Sequence, residues 1–424
     1  MFTPAGQRTG RRPASRPTLS LMATTEGTST LVDFDEFHTV ELPRRLAGGN
    51  GALAAGDAAG LGALGFRLRE TGSSYTYVPT GDTIAVVAGA EQARTVVEID
   101  QASWEGLVTD METAPGLLYS DRITCTGGSA LRFVRWEPAL RAMFHGRPIF
   151  DPEATPLFDR EGEPLDPTKT FTFVSDRDEM AHFLHTAGFI VVKGVFDDDE
   201  VTRFRAAADR LRAGAVGGDR LSWWGKNASG VTVLCRVTNA GKEPDLRALY
   251  EDERLLGLAA LSEYELTAKA VDSDEGVTVL WKNPDMTEGL SNIPWHRDCG
   301  MGGHALMCPL LIATVCLTGG GPDSGELRGL PGSWQASYPY IDAEDPDAPL
   351  GVGLDVEPGD VSLHYSDVMH ASCAPRGDGP YRTSLLMAFV PDRARQGLRD
   401  GGYNRVLFRS DDGQVEHLAD FVDR

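Results

Sequence analysis

The apolar positions of this chain follow two different rhythms. From Leu31 to Gly146, short β-type runs (75-YTYVP, 84-IAVVAG, 95-TVVEID and 122-RITCTGG) alternate with helical stripes. In 101-QASWEGLVTDM-111, Trp104, Leu107, Val108 and Met111 share one helical face. In residues 129–146, Leu131, Val134, Leu140 and Phe144 recur at helical spacing, and Pro138 is expected to kink or restart that helix. The pattern predicts a small α+β unit. The stretch 147-RPIFDPEATPLFDREGEPLDPTKT-170 has five prolines and no apolar period, and reads as a linker. Beyond it, an amphipathic helix with Met180, Phe183 and Leu184 leads into a buried strand, 188-GFIVVKG-194. Asp197–Asp199 then cap a helix striped with Val201, Phe204, Ala208 and Leu211. After residue 276 the rhythm changes to β-type runs broken by Gly and Pro: 277-VTVLWK, 311-LIATVCLTG, 361-VSLHY and 384-SLLMAFV. Many short strands separated by turn signals predict a sandwich or jelly roll. The expected organisation is a disordered tail (1–30), an accessory α+β domain (31–146), a linker (147–170), a jelly-roll domain (171–395) and a C-terminal extension (396–424).

Composition narrows the partners. With 40 Lys+Arg against 62 Asp+Glu the formal charge is −22, which argues against nucleic acid and anionic membrane surfaces, both of which need clustered cations. No run approaches the ~20 apolar residues of a membrane span. Cysteines 125, 235, 299, 308, 316 and 373 form no CxxC, so reduced thiols and a cytoplasmic setting are expected. Residues 1–30 carry four arginines but no apolar h-region, which speaks against a secretory signal, and Met22 is an alternative start.

The chemistry is concentrated in two segments. In 294-PWHRDCG-300, His296 and Asp298 are one residue apart, so on a strand both point to the same face. His370 stands 72 residues after Asp298, in 358-PGDVSLHYSDVMHAS-372. Two imidazoles and one carboxylate on one face of a metal, with the other positions open, form the facial triad of non-haem Fe(II) oxygenases. Twelve residues after His370, Arg382 heads an apolar strand, where a buried guanidinium needs an anion. Guanidinium holds carboxylates bidentately, which suits a dicarboxylic acid cosubstrate. Ser384 faces the same side as Arg382, and Ser372 follows His370 by two; both could add a hydroxyl donor.

Together, GFIVVKGVF (188–196), PWHRD (294–298), SGELRGLPGSW (324–334), EPGDVSLHYSDVMHAS (357–372) and YRTSLLMAF (381–389) resemble the phytanoyl-CoA dioxygenase family of Fe(II)/2-oxoglutarate-dependent oxygenases, in the family's order, over roughly residues 175–392. The resemblance implies a double-stranded β-helix (jelly-roll or cupin-like) core with flanking helices. It implies iron on His296, Asp298 and His370, with Arg382 gripping the distal carboxylate of 2-oxoglutarate and Ser372 lining the same pocket. Asn283, thirteen residues before His296, corresponds to a polar residue that contacts the cosubstrate, whereas Lys282 alternates to the other face. The implied activity is a dioxygenase that uses O2 to hydroxylate or otherwise oxidise an unactivated C–H bond of an apolar or secondary-metabolite substrate, releasing succinate and CO2. Halogenases of this class have Gly or Ala in place of the carboxylate ligand; Asp298 favours hydroxylation or a related oxidation.

Three departures stand out. The family's PGSH loop reads PGSW, so Trp334 is expected to alter substrate contacts. Arg382 lies one residue further from the distal histidine than is usual, which makes Arg376 a competitor, although its Gly/Pro turn suits a solvated loop arginine. The N-terminal 150 residues are outside the typical family architecture. Their order of elements resembles the sterol-carrier-protein-2 type of lipid-binding domain, with an unassigned accessory domain as the alternative. From this resemblance comes the notion of an apolar or carrier-bound substrate, and a competing reading in which the jelly roll is a non-catalytic lipid-binding scaffold.

The remaining histidines read as ordinary residues. His182 and His185 belong to a helix, and His145 and His417 to the surface. His304 sits in a loop near the HxD motif. His364 is separated from His370 by a turn-like Ser-Asp and reads as a non-ligand. Trp223-Trp224 sits in a loop-like run, packed in the core or forming a lid.

Overall fold

The computed structural model describes residues 32–152, 155–269, 276–286, 293–298, 310–342, 345–375 and 382–391. Cys299, His304, Cys308, Arg376, His417, the N-terminal tail and the segment 396–424 lie outside the described residues.

Apolar side chains collect into two separate cores, one drawn from Phe34 to Phe144 and the other from Phe171 to Phe389. Around the first, β1 (Leu64–Leu68), β2 (Ser74–Pro79), β3 (Ile84–Ala88), β4 (Thr95–Ile99) and β5 (Thr124–Thr126) form a sheet of order β3-β2-β1-β4-β5. Its pairs are antiparallel except β1 with β4. Side-chain caps set the helix starts: Asp100 accepts from the Ser103 N–H and Thr113 from the Gly116 N–H. The Ala130–His145 helix runs on through Pro138, so of the expected kink or restart the restart does not occur. An interior proline costs roughly 3 kcal/mol. That helix buries Phe133, Trp136, Leu140, Met143 and Phe144, and each such side chain contributes roughly 1.5–3 kcal/mol. Packing outweighs the lost hydrogen bond.

The second core lies within a double-stranded β-helix. Its strands are β6 (Phe171–Thr172), β7 (Phe189–Lys193), β8 (Ser222–Lys226), β9 (Thr232–Val237), β10 (Thr267–Ala268), β11 (Val277–Lys282), β12 (Ile293–His296), β13 (Leu311–Cys316), β14 (Leu327–Gly329), β15 (Val352–Leu354), β16 (Val361–Tyr365), β17 (His370–Ser372) and β18 (Arg382–Val390). The larger sheet has the order β6-β7-β16-β13-β18-β11-β9-β8, with β10 on β18, and the smaller has β12-β17-β14-β15. Helices Arg177–Ala187 and Asp198–Gly214 flank the sheets, the second opened by a capping box of Asp197 and Glu200.

Two aromatic features differ from expectation. Trp223-Trp224 lies on the edge strand β8 rather than in a loop, and the Arg236 guanidinium sits 4.6 Å from the Trp223 ring. Trp334 is buried in the second core, stacked on Tyr365 and donating to the His185 carbonyl (3.0 Å). It is therefore a packing residue, not a substrate contact. Gly188 closes the helix before β7 at φ +88°, and a Cβ there would lie 2.5 Å from Val368 and 2.6 Å from Trp334. Gly188→Ala is expected to destabilise the fold by about 2–4 kcal/mol, combining positive-φ strain with overpacking. A shift in the denaturant midpoint checks this; an unchanged midpoint would contradict it.

No helix among the described residues is long and apolar enough to cross a membrane. The two cores meet at several points: Ile149 bridges to Ser337, Arg135 pairs with Asp342 (3.2 Å), and Glu137 pairs with Arg297 (2.7 Å).

Candidate metal centre

The smaller sheet places the histidines. His296 on β12 is directly cross-strand from His370 on β17, with ring centroids 4.2 Å apart. Asp298 lies two residues past His296, where strand alternation returns its side chain to the same side. Its Oδ1 is 3.7 Å from the His296 Nε2 and 3.8 Å from the His370 Nε2. One ligand atom from each of the three residues lies within 4.8 Å of the others. The structure thus brings together the three residues singled out in the sequence.

Backbone carbonyls fix which nitrogen faces the centre. The His296 Nδ1 is 2.8 Å from the Pro294 carbonyl and the His370 Nδ1 is 2.9 Å from that of Val368. Each Nδ1–H therefore donates to a carbonyl two residues back, and the Nε2 lone pair is presented to a metal. Burial first, then the neighbouring His296, lowers the His370 pKa to about 3, so the ring is a neutral ligand at neutral pH. Desolvation opposes ionisation of Asp298, yet His370, His296 and His364 around it hold its carboxyl well below the usual range. Two imidazoles and a carboxylate suit a divalent first-row metal.

His364, on β16, is a residue whose role sequence reasoning missed. Its Nε2 is 3.5 Å from Asp298 Oδ2 without forming a hydrogen bond to it, and its ring is 4.5 Å from that of His370. Oδ1 thus faces the two ligand histidines while Oδ2 faces His364. The even offset of six residues was the available signal, but residues 366–368 form a turn that interrupts strand phase. A partner holding the free oxygen of a ligand carboxylate typically contributes 10–100-fold to metal affinity. We expect His364→Leu to weaken Fe(II) binding by about that factor; equal affinity in an anaerobic titration would remove it from this role.

The residues expected to hold a cosubstrate sit around the start of β18. Arg382 is 5% exposed, its Nε has no hydrogen-bond partner among the described residues, and no ion pair of Arg382 occurs among them. Burial lowers its pKa to about 10, partly offset by Cys316, Glu326 and Cys373. Ser384 is buried two residues along, opposite Leu280 and Cys316. Ser372 donates to the Gly325 carbonyl (3.2 Å). The family resemblance assigned Asn283 to this pocket, and alternation set Lys282 away from it. The structure gives Asn283 other partners: it donates to the Leu234 carbonyl (2.8 Å) and lies 3.5 Å from Arg212. Lys282 instead pairs in register with Arg382 and donates to the Ser372 carbonyl (3.0 Å). Burial, and then the charge of Arg382, push its pKa well below the ordinary lysine value. A buried guanidinium beside a buried amine that can donate hydrogen bonds suits a small dianion, so the residues present fit 2-oxoglutarate.

A double-stranded β-helix on which two imidazoles and one carboxylate converge is an arrangement that could hold a single divalent metal ion. Residues 184–384 match the phytanoyl-CoA dioxygenase (PhyH) family model. Solved structures similar to the chain include AviO1 from Streptomyces viridochromogenes Tue57 (25% identity, 51% of this chain and 96% of that one, TM-score 0.40). SnoK, a non-haem α-ketoglutarate-dependent carbocyclase from nogalamycin biosynthesis, shares 23% identity over 59% of this chain and 96% of its own, with TM-score 0.42. EvdMO1 shares 24% identity over 50% of this chain, with TM-score 0.41, and the chain spans about half (49%) of its length. No curated protein matches the chain.

Proposed function

We propose that this protein hydroxylates, or otherwise oxidises, an unactivated C–H bond of a small apolar or secondary-metabolite substrate. The observation that carries the reading is the convergence of His296, Asp298 and His370 within 4.8 Å. Iron with 2-oxoglutarate and O2 supplies the oxidising chemistry when bound, and succinate and CO2 leave as coproducts. In this reading His296, Asp298 and His370 hold the metal through two Nε2 atoms and one carboxylate oxygen, leaving the remaining positions open. Arg382, with Lys282 and Ser384 beside it, orients the dianion, while Ser372 shapes the pocket wall. Asp298 supports oxygenation over halogenation, because a carboxylate occupies the position that a halide would need.

Residues 171–395 form the oxygenase domain in this proposal, and residues 31–146, joined by the 147–170 linker, act as an accessory domain in a cytoplasmic enzyme. The accessory domain presents an apolar or carrier-bound substrate. The competing scaffold reading requires that the jelly roll bind neither metal nor cosubstrate. A screen of candidate substrates for substrate-dependent succinate release, with Fe(II) and 2-oxoglutarate present, tests the proposal. Failure to bind either Fe(II) or 2-oxoglutarate would favour the scaffold.

A further inference from the structure

Arg297 stands between two of the proposed metal ligands. On an extended backbone His296 and Asp298 point one way and the residue between them the other. Arg297 is directed at the accessory domain, where its Nη2 meets Glu137 Oε1 at 2.7 Å, with side chains only 9% and 5% exposed. Glu137 is itself held on all sides. Its Oε1 is 3.3 Å from the Arg141 Nε, and its Oε2 accepts from the Ala114 N–H at 2.7 Å. Arg141 also pairs with Asp110 at 2.9 Å, again with both side chains nearly buried. A charge chain, Asp110–Arg141–Glu137–Arg297, thus runs from the core of the accessory domain to the backbone that carries His296 and Asp298.

We propose that Glu137 and Arg297 are positioning residues, through which the accessory domain fixes the register of the metal-ligand strand. The inference rests on the metal assignment made above. The physical argument is one of anchoring. β12 is four residues long, its pairing with β17 is irregular between Ile293 and His296, and Asp298 already lies past its end. Such a short, bulged strand end is weakly held by its own ladder. A desolvated, bidentate-capable guanidinium clamp supplies the missing constraint. A second side-chain ion pair between the cores, Arg135 with Asp342, is half exposed and touches no ligand-bearing segment, so it serves as a control.

The test is anaerobic Co(II) titration of the full-length protein, read by the visible absorption of the bound ion, alongside the thermal midpoint of each variant. Wild type and Arg135→Ala should bind one equivalent with the same affinity. Arg297→Gln should bind about 10–100-fold more weakly, with a changed absorption envelope that mere destabilisation of a folded site would not produce. Arg297→Lys, which keeps the charge but not the fork, should recover part of the loss. If Arg297→Gln does not fold, Glu137→Gln carries the test, since it preserves size and one acceptor oxygen; weaker binding with an altered envelope is expected again. Wild-type affinity and spectrum in the folded Arg297 and Glu137 variants would overturn this inference alone. A wild-type protein that takes up no Co(II) would overturn the metal assignment and this inference with it.

Discussion

Replacing His296 or Asp298 by alanine is expected to strip the protein of Fe(II) and to lower succinate formation at least about 1000-fold, since metal catalysis supplies several kcal/mol and each 1.36 kcal/mol is a factor of ten. The geometry explains why neither change can be absorbed. The ligand atoms of the triad lie within 4.8 Å of one another, and Asp298 Oδ1 stands nearly equidistant from both Nε2 atoms. Loss of one ligand leaves two, and the further imidazole at hand among the described residues, His364, faces the other carboxylate oxygen. Metal content measured beside turnover separates the causes. Full activity in either alanine variant would refute the assignment of the triad.

Arg382→Met should act in two opposite directions. The KM for 2-oxoglutarate should rise by roughly 30- to 3000-fold, as expected when a buried charge partner worth about 2–5 kcal/mol is removed. In the absence of cosubstrate the same variant should be as stable as wild type, or more stable by roughly 1–2 kcal/mol. A buried guanidinium without an anion costs free energy, and a methionine of similar length does not. Wild type gains about 2.7 kcal/mol of apparent stability at 100-fold saturation with 2-oxoglutarate, and the variant should lose that response over the same concentrations. Thermal midpoints with and without 2-oxoglutarate decide the matter. A variant destabilised without cosubstrate, yet retaining the wild-type KM, would show that Arg382 is a packing residue.

The triad was legible because strand alternation is a local rule: one intervening residue suffices to put His296 and Asp298 on one face. The strands β7, β11, β13, β16 and β18 were legible as apolar runs bounded by turns. Lys282 and Asn283 show where that rule fails. Every residue of β11 is buried, so alternation no longer distinguishes an inside from an outside, and Asn283 lies past the strand's end where the phase is lost. Trp334 took a core position because its indole finds a carbonyl on the preceding helix, a contact spanning 149 residues that no local pattern announces. The Glu137–Arg297 pair spans 160 residues and is silent in the sequence for the same reason. The strand Leu64–Leu68 escaped notice beside an Ala- and Gly-rich helix whose apolar face is poorly defined.

The carbonyls of Pro294 and Val368 carry a consequence for how the enzyme must be handled. Because they lock both imidazoles with Nε2 outward before any ion arrives, the centre is a ready chelator that does not distinguish iron from its neighbours by rearranging. Affinity at such a nitrogen and oxygen site follows the general order in which cobalt, nickel, copper and zinc exceed Fe(II). Identity of the resident ion is therefore set by supply, and protein prepared over immobilised nickel or in zinc-bearing buffer should be folded, metal-filled and inert until it is stripped and reloaded with Fe(II).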